Sequence, residues 1–327
     1  MIKIYITCPW QDATSILNKY KKNTPGNKGI WKNIQAITSY DEADYLIVLD
    51  NLYKDIVNLG EKHFLKKFNN FDKIIHFQRE NTGILKYSGK NWYLNNILPK
   101  LKHHITYEKG FLYTFAPASF INKTYDELKS MKYPNKTKKI SCVVSSKQGN
   151  NITDGYFKRT TFIRKYSQLY PNKIDIYGRG WNKYVLGNNY KGALGSYHQE
   201  KNITTDKSDA LLDYHYSIAL ENFYKDIGKL SEKITDCILC WSMPIYWGSG
   251  TYSKVLPDKS FHLINIENSN VYKNIQYIIS KKPTDEQINA LREAREIILD
   301  KLNIWEQIYQ IINNYDTFLK EYKFLNQ

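Results

Sequence analysis

Short apolar runs alternate along the chain with longer stretches in which apolar residues recur every three or four positions. Ile2–Thr7 alternates apolar and polar residues and predicts a strand. Tyr45–Leu49 is an unbroken apolar run ending at Asp50, and Lys73–Phe77 is a shorter one followed by Gln78. Such runs suit strands of a parallel sheet, buried on both faces. Polar, lysine-rich segments separate them, with Pro25 and Gly26 as a turn.

The same rhythm returns in the second half. Ile140–Val144 predicts a strand leading into Ser145, Ser146 and Lys147. Tyr156–Tyr170 has helical spacing, with Phe157, Phe162, Tyr166 and Leu169 on the period. Ile174–Tyr177 is a strand stopping at Gly178, and Tyr216–Leu220 is one stopping at Glu221 and Asn222. A helix opens at Ser231, with Ile234, Ile238 and Trp241 apolar, and Met243–Trp247 is the next strand, ended by Gly248. Thr284 with Gln287 fits a capping box at the head of a further helix. Strand–helix alternation of this kind predicts α/β sheets. Pro117 and Pro134 bracket a polar stretch where the boundary is expected, giving an N-terminal domain over 1–133, a C-terminal domain over 134–305 and a helical tail over 306–327.

Composition changes this picture little. The 327 residues carry a net charge of +15 and 28 tyrosines. A basic chain favours anionic partners, but the lysines are scattered. The densest group, Lys136, Lys138 and Lys139 beside Pro134, reads as a solvated linker rather than a nucleic-acid patch. Four cysteines occur, and the Cys237-x-x-Cys240 pair has no second pair nearby to complete a four-ligand zinc site. Buried free thiols are the expectation, which suits a reducing compartment. With no apolar leader after Met1 and no run long enough to span a membrane, a cytoplasmic protein is expected, with any membrane contact peripheral. No histidines share a metal spacing, and no Asp-x-Asp pair is present.

In open α/β sheets, ligands bind beyond the carboxyl ends of the strands. Here those ends carry Ser145, Ser146 and Lys147, then Gly178, Arg179 and Gly180, then Glu221 and Asn222. The helix at Ser231 presents free N–H groups and a positive dipole end, which favour an anion. Lys233 in its first turn opposes that dipole, a conflict a nearby phosphate would relieve. Each residue alone has a plainer reading: Glu221 and Asn222 as a strand–loop cap, Glu232 as a first-turn carboxylate, Arg159 and Lys233 as solvated charges, Gly178 and Gly248 as turn glycines, and Tyr246 and Trp247 as core or wall.

Taken together, Tyr214-His-Tyr-Ser-Ile-Ala-Leu-Glu221-Asn222, Ser231-Glu232-Lys233 and Met243-Pro-Ile-Tyr-Trp-Gly248 resemble the C-terminal signature of the α1,3-fucosyltransferases, glycosyltransferase family ten. A looser likeness runs back through Ile174–Gly178 and Arg159-Thr-Thr-Phe162 to Val143. The resemblance implies a GT-B fold, two Rossmann-like domains facing a cleft, with a helical C-terminal tail. It implies an inverting, metal-independent transfer of fucose from GDP-fucose, a co-substrate rather than a cofactor, to a glycan hydroxyl. Arg159 and Lys233 would neutralise the diphosphate, Glu232 would hold donor hydroxyls, and Asn222 would contact the donor beside Glu221, Ser231 and Gly178. Glu80, in Phe77-Gln-Arg-Glu80-Asn81, stands where the family has its general base, with Arg79 in place of a glycine. Lys229 stands where the family has a tyrosine. That departure keeps open a different nucleotide sugar on the same scaffold. The charge and tyrosine content keep open a non-catalytic glycan- or nucleic-acid-binding protein.

Overall fold

The computed structural model describes residues 1–78, 92–106, 109, 111, 113–114, 121–147, 155–194, 206–222 and 229–323. The chain divides into two compact units. The first comprises Met1–Ala116, Thr124–Asp126 and Leu302–Gln327, and the second Pro117–Lys123 and Glu127–Lys301.

The first unit contains β1 (Ile2–Thr7), β2 (Ile30–Trp31), β3 (Ile34–Ile37), β4 (Tyr45–Leu49), β5 (Ile74–Phe77) and β6 (His103–Ile105) in one sheet, ordered β2-β3-β1-β4-β5-β6. The pairings are parallel except for the antiparallel edge pair β2–β3. The unbroken run of β4 is explained by burial on both faces: Leu46, Ile47, Val48 and Leu49 are all fully buried. Helix α1 (Ala13–Tyr20) is capped by Asp12, whose carboxylate accepts the Ser15 N–H at 2.9 Å. Helices α2 (Lys54–Leu59) and α3 (Glu61–Lys67) supply Ile56 and Phe64, which pack on Leu46, Val48, Ile74 and Tyr93.

The second unit contains β7 (Lys138–Val143), β8 (Asp175–Tyr177), β9 (Tyr190–Gly192), β10 (Tyr214–Leu220), β11 (Met243–Trp247) and β12 (His262–Leu263), ordered β9-β8-β7-β10-β11-β12 and parallel throughout. The chain enters at the middle of the sheet, builds outward through β8 and β9, then returns to the other side of β7 as β10. This is a doubly wound topology with its reversal between β7 and β10. Helices α4 (Gly155–Leu169), α5 (Glu232–Leu239), α6 (Val271–Ile279) and α7 (Asp285–Glu296) accompany it, and the expected Thr284–Gln287 capping box heads α7. Both units are thus α/β with mostly parallel sheets.

The final helices, α8 (Ile304–Asn313) and α9 (Tyr315–Tyr322), group with the first unit rather than standing apart as a tail. Their apolar faces need cover that a free tail would not have. Trp305 is fully buried and donates its indole N–H to Tyr20 O at 3.0 Å. Glu306 accepts from Trp31 Nε1 at 2.7 Å and from Lys32 Nζ at 2.8 Å, and Tyr315 meets His103 edge-to-face at 4.5 Å. Sequence periodicity identifies such a face but not the sheet that receives it.

Lys136 corrects the solvated-linker reading. Only 5% of it is exposed, and its ammonium donates to Leu212 O at 2.7 Å, Cys240 O at 3.3 Å and Leu211 O at 3.4 Å. Burial pushes its pKa down to about 7. Lys138 and Lys139 are exposed, but they open strand β7 rather than lying in a linker. The cysteines are free and buried. Among the described residues no helix is long and apolar enough to cross a membrane, and no group of His, Cys, Asp and Glu is arranged to hold a metal ion.

Candidate active site

The reversal between β7 and β10 places two strand ends side by side. Glu221 follows β10 directly, its N–H bonded to Trp247 O at 3.0 Å so that the end of β11 lies alongside. Ser231 caps α5: its hydroxyl accepts the Lys233 N–H at 3.1 Å and touches Glu221 Oε1. The sequence-predicted residues Glu221, Ser231, Glu232 and Lys233 therefore meet at one helix N-terminus. Lys233 Nζ lies 3.0 Å from Glu232 Oε1 and 3.4 Å from Glu221 Oε2. The dipole conflict noted in the sequence is met within the chain by these two carboxylates. Burial disfavours the Lys233 charge, but Glu232 and Glu221 outweigh it and raise its pKa. Burial likewise disfavours ionised Glu232, but Lys233 and Lys207 outweigh it and hold the carboxyl at about 2.

A second layer supports the helix end. Lys207 donates to the Glu232 carbonyl at 3.1 Å and pairs with the buried Asp236 at 2.7 Å. These two residues were not singled out from the sequence, because Lys207 lies outside the motif and only folding brings it under the first turn of α5.

Arg159 comes from α4. Its Nη1 donates to Asn222 Oδ1, and its guanidinium stacks over the Tyr156 ring at 4.6 Å. Only 5% of Arg159 is exposed, its Nε–H has no hydrogen-bond partner among the described residues, and no described carboxylate forms an ion pair with it. Burial lowers its pKa, yet a guanidinium stays charged. A buried cation with an unused donor is costly unless an anion completes it. Lys147, at the end of the β7 segment, lies 5.8 Å from the same Tyr156 ring and adds positive charge.

Glycines make these approaches possible. A Cβ on Gly155 would fall 1.9 Å from Asn222 O, so the first turn of α4 reaches the Asn222 backbone only because no side chain intervenes. Gly178, at φ 147°, has Val144 O where its Cβ would be, 2.0 Å away. It shapes the neighbouring strand ends rather than joining the charged cluster. Tyr246, read as core or wall, places its hydroxyl 3.3 Å from Glu221 Oε1, and the one clue to this in the sequence is its place inside Pro244-Ile-Tyr-Trp-Gly248.

Glu80 lies outside the described residues, as do the side chain of Lys229 and the residues between Asn222 and Lys229.

No family model matches this chain, and no curated protein matches it. Solved structures do. An α1,3-fucosyltransferase is 16% identical, over 96% of this chain and 90% of its own, with a TM-score of 0.43. An α1,3-fucosyltransferase with GDP-fucose is 15% identical, over 98% and 90%, with a TM-score of 0.41. The β-glucosyltransferase of T4 phage is 11% identical, over 98% and 99%, with a TM-score of 0.42.

Proposed function

We propose that this chain is an inverting glycosyltransferase that binds a nucleoside-diphosphate sugar at the carboxyl ends of β7 and β10 and transfers the sugar to a hydroxyl of a glycan acceptor. The observation that carries the reading is the site's charge arrangement. Among the described residues Arg159 is buried, makes no ion pair and has an unused Nε–H, and with Asn222 it stands within electrostatic reach of Glu221, Glu232 and Lys233 at a helix N-terminus. Such a set suits an anion with hydroxyls attached: Arg159, Lys233 and the N–H groups of α5 receive the diphosphate, while Glu232 accepts from donor hydroxyls.

In this mechanism the acceptor oxygen attacks the anomeric carbon as the bond from that carbon to the diphosphate oxygen breaks. Glu80 takes the acceptor proton as general base. Negative charge grows on the departing diphosphate, and the cations already in place stabilise it with little reorganisation. The motif favours GDP-fucose as donor, and Lys229, where the family has a tyrosine, favours a second reading with another nucleotide sugar.

Nucleotide release during incubation with GDP-fucose, other GDP-sugars, UDP-sugars and dTDP-sugars tests this, with glycan acceptors present. GDP release and a fucosylated product of inverted configuration are expected. Turnover of a different sugar nucleotide would replace fucose and keep the mechanism. Oligonucleotide binding that weakens steeply with salt, with no turnover of any donor, would overturn the reading in favour of a binding protein.

A further inference from the structure

The carboxylate of Glu221 is 5% exposed and is surrounded by groups from separate elements. Oε2 faces Lys233 Nζ at 3.4 Å, from α5. Oε1 touches the Ser231 hydroxyl and lies 3.3 Å from the Tyr246 hydroxyl, from β11. Tyr246 Oη is in turn 2.7 Å from the hydroxyl of Tyr252, and the two rings meet edge-to-face at 4.6 Å. Both tyrosines are fully buried, and burial, with Glu221 nearby, keeps their hydroxyls protonated. The single Tyr246 hydroxyl proton is shared between Tyr252 Oη and Glu221 Oε1, and Tyr246 is the donor in both contacts.

Gly248 shows that this approach is built into the fold. A Cβ there would lie 1.7 Å from Tyr246 Oη and 2.6 Å from Glu221 Cγ. The glycine after β11 leaves the space through which the phenol reaches the carboxylate. The surrounding strand would bury a phenylalanine at 246 as readily as a tyrosine, and the hydroxyl is what the packing alone does not require.

We infer that Tyr246 and Tyr252 are positioning residues that act through Glu221: the two phenols in series fix the Glu221 carboxylate, and Glu221 fixes the Lys233 ammonium. This arrangement lets Glu232 exchange Lys233 for a ligand hydroxyl without leaving the ammonium unpaired. The role in catalysis rests on the donor-site reading above, whereas the series itself is a property of the folded chain.

Tyr246→Phe, Tyr252→Phe and the double variant test it by two readouts. The first is the rate at which an amine-acylating reagent modifies Lys233, followed by peptide mass spectrometry without nucleotide. The second is affinity for the nucleoside diphosphate that the wild-type chain binds. Tyr246→Phe is expected to raise Lys233 acylation several-fold and to weaken the nucleotide by about tenfold, the scale of one hydrogen bond to a charged group. Tyr252→Phe is expected to do the same to a smaller degree. The double variant is expected to match Tyr246→Phe, since elements in series do not add.

Unchanged acylation and affinity in both single variants, with melting temperatures near wild type, would overturn the inference. So would additive effects in the double variant, which independent packing roles would give. If the wild-type chain binds no nucleotide but acylation follows the expected pattern, the series stands and the donor-site reading falls.

Discussion

Replacing Arg159 or Lys233 with alanine is expected to lower sugar-nucleotide turnover by about 10²–10³-fold, the usual cost of losing one preorganised group that stabilises growing negative charge. The two losses should differ in kind. Arg159 makes no ion pair among the described residues and is coupled to Glu221 and Glu232 only at longer range, so Arg159→Ala removes a cation without breaking a direct carboxylate contact. Its effect should fall on nucleotide affinity and turnover, with little change in melting temperature. Lys233→Ala leaves Glu221 and Glu232 facing one another without the ammonium between them. Those carboxylates then repel the diphosphate, so Lys233→Ala should weaken nucleotide binding more than Arg159→Ala and also lower the melting temperature. Steady-state kinetics beside thermal melts of both variants check this. Wild-type turnover in either one would remove that residue from the donor site.

Glu80→Gln is the second large effect. Removing a general base costs about 10²–10⁴-fold in rate. The amide keeps the size of the side chain and cannot take the acceptor proton. The expected result is a fall in kcat of that order with nucleotide affinity at the wild-type level, because the residues proposed to bind the donor belong to the second unit. Single-turnover rates with saturating donor measure it. A kcat within a factor of about three of wild type would place the base elsewhere.

Much of the proposed donor site was legible in the sequence for a physical reason. Its groups sit at strand ends and at one helix N-terminus, which are the points where apolar runs stop and polar residues begin. Glu221, Asn222, Ser231, Glu232 and Lys233 are all of this kind, and all but Asn222 meet in one contact network, while Asn222 bonds Arg159. The strands of longest apolar run, β4 and β11, were read for the same reason. Short edge strands such as β2, β9 and β12 were not, because two or three residues carry no period.

What the sequence hid depends on long-range packing. Lys136 lies in a polar, lysine-rich segment, and only the fold shows three carbonyls converging on its ammonium. Lys207 and Asp236 become partners across a separation that no local pattern encodes. The final helices look like a tail until Trp305 and Glu306 are seen against Tyr20, Trp31 and Lys32. Gly155 and Gly248 look like ordinary loop glycines, and their role appears only when the atoms occupying the place of a Cβ are known.

The central claim is that Arg159, Lys233 and the N-terminus of α5 form a nucleoside-diphosphate site. Titration calorimetry of the wild-type chain with GDP, UDP and dTDP tests it most directly, with Arg159→Ala as the matched control. Saturable one-to-one binding of one of these diphosphates, weakened by at least about tenfold in Arg159→Ala, is the predicted result. Absence of binding to all three, or binding that Arg159→Ala leaves unchanged, would contradict it.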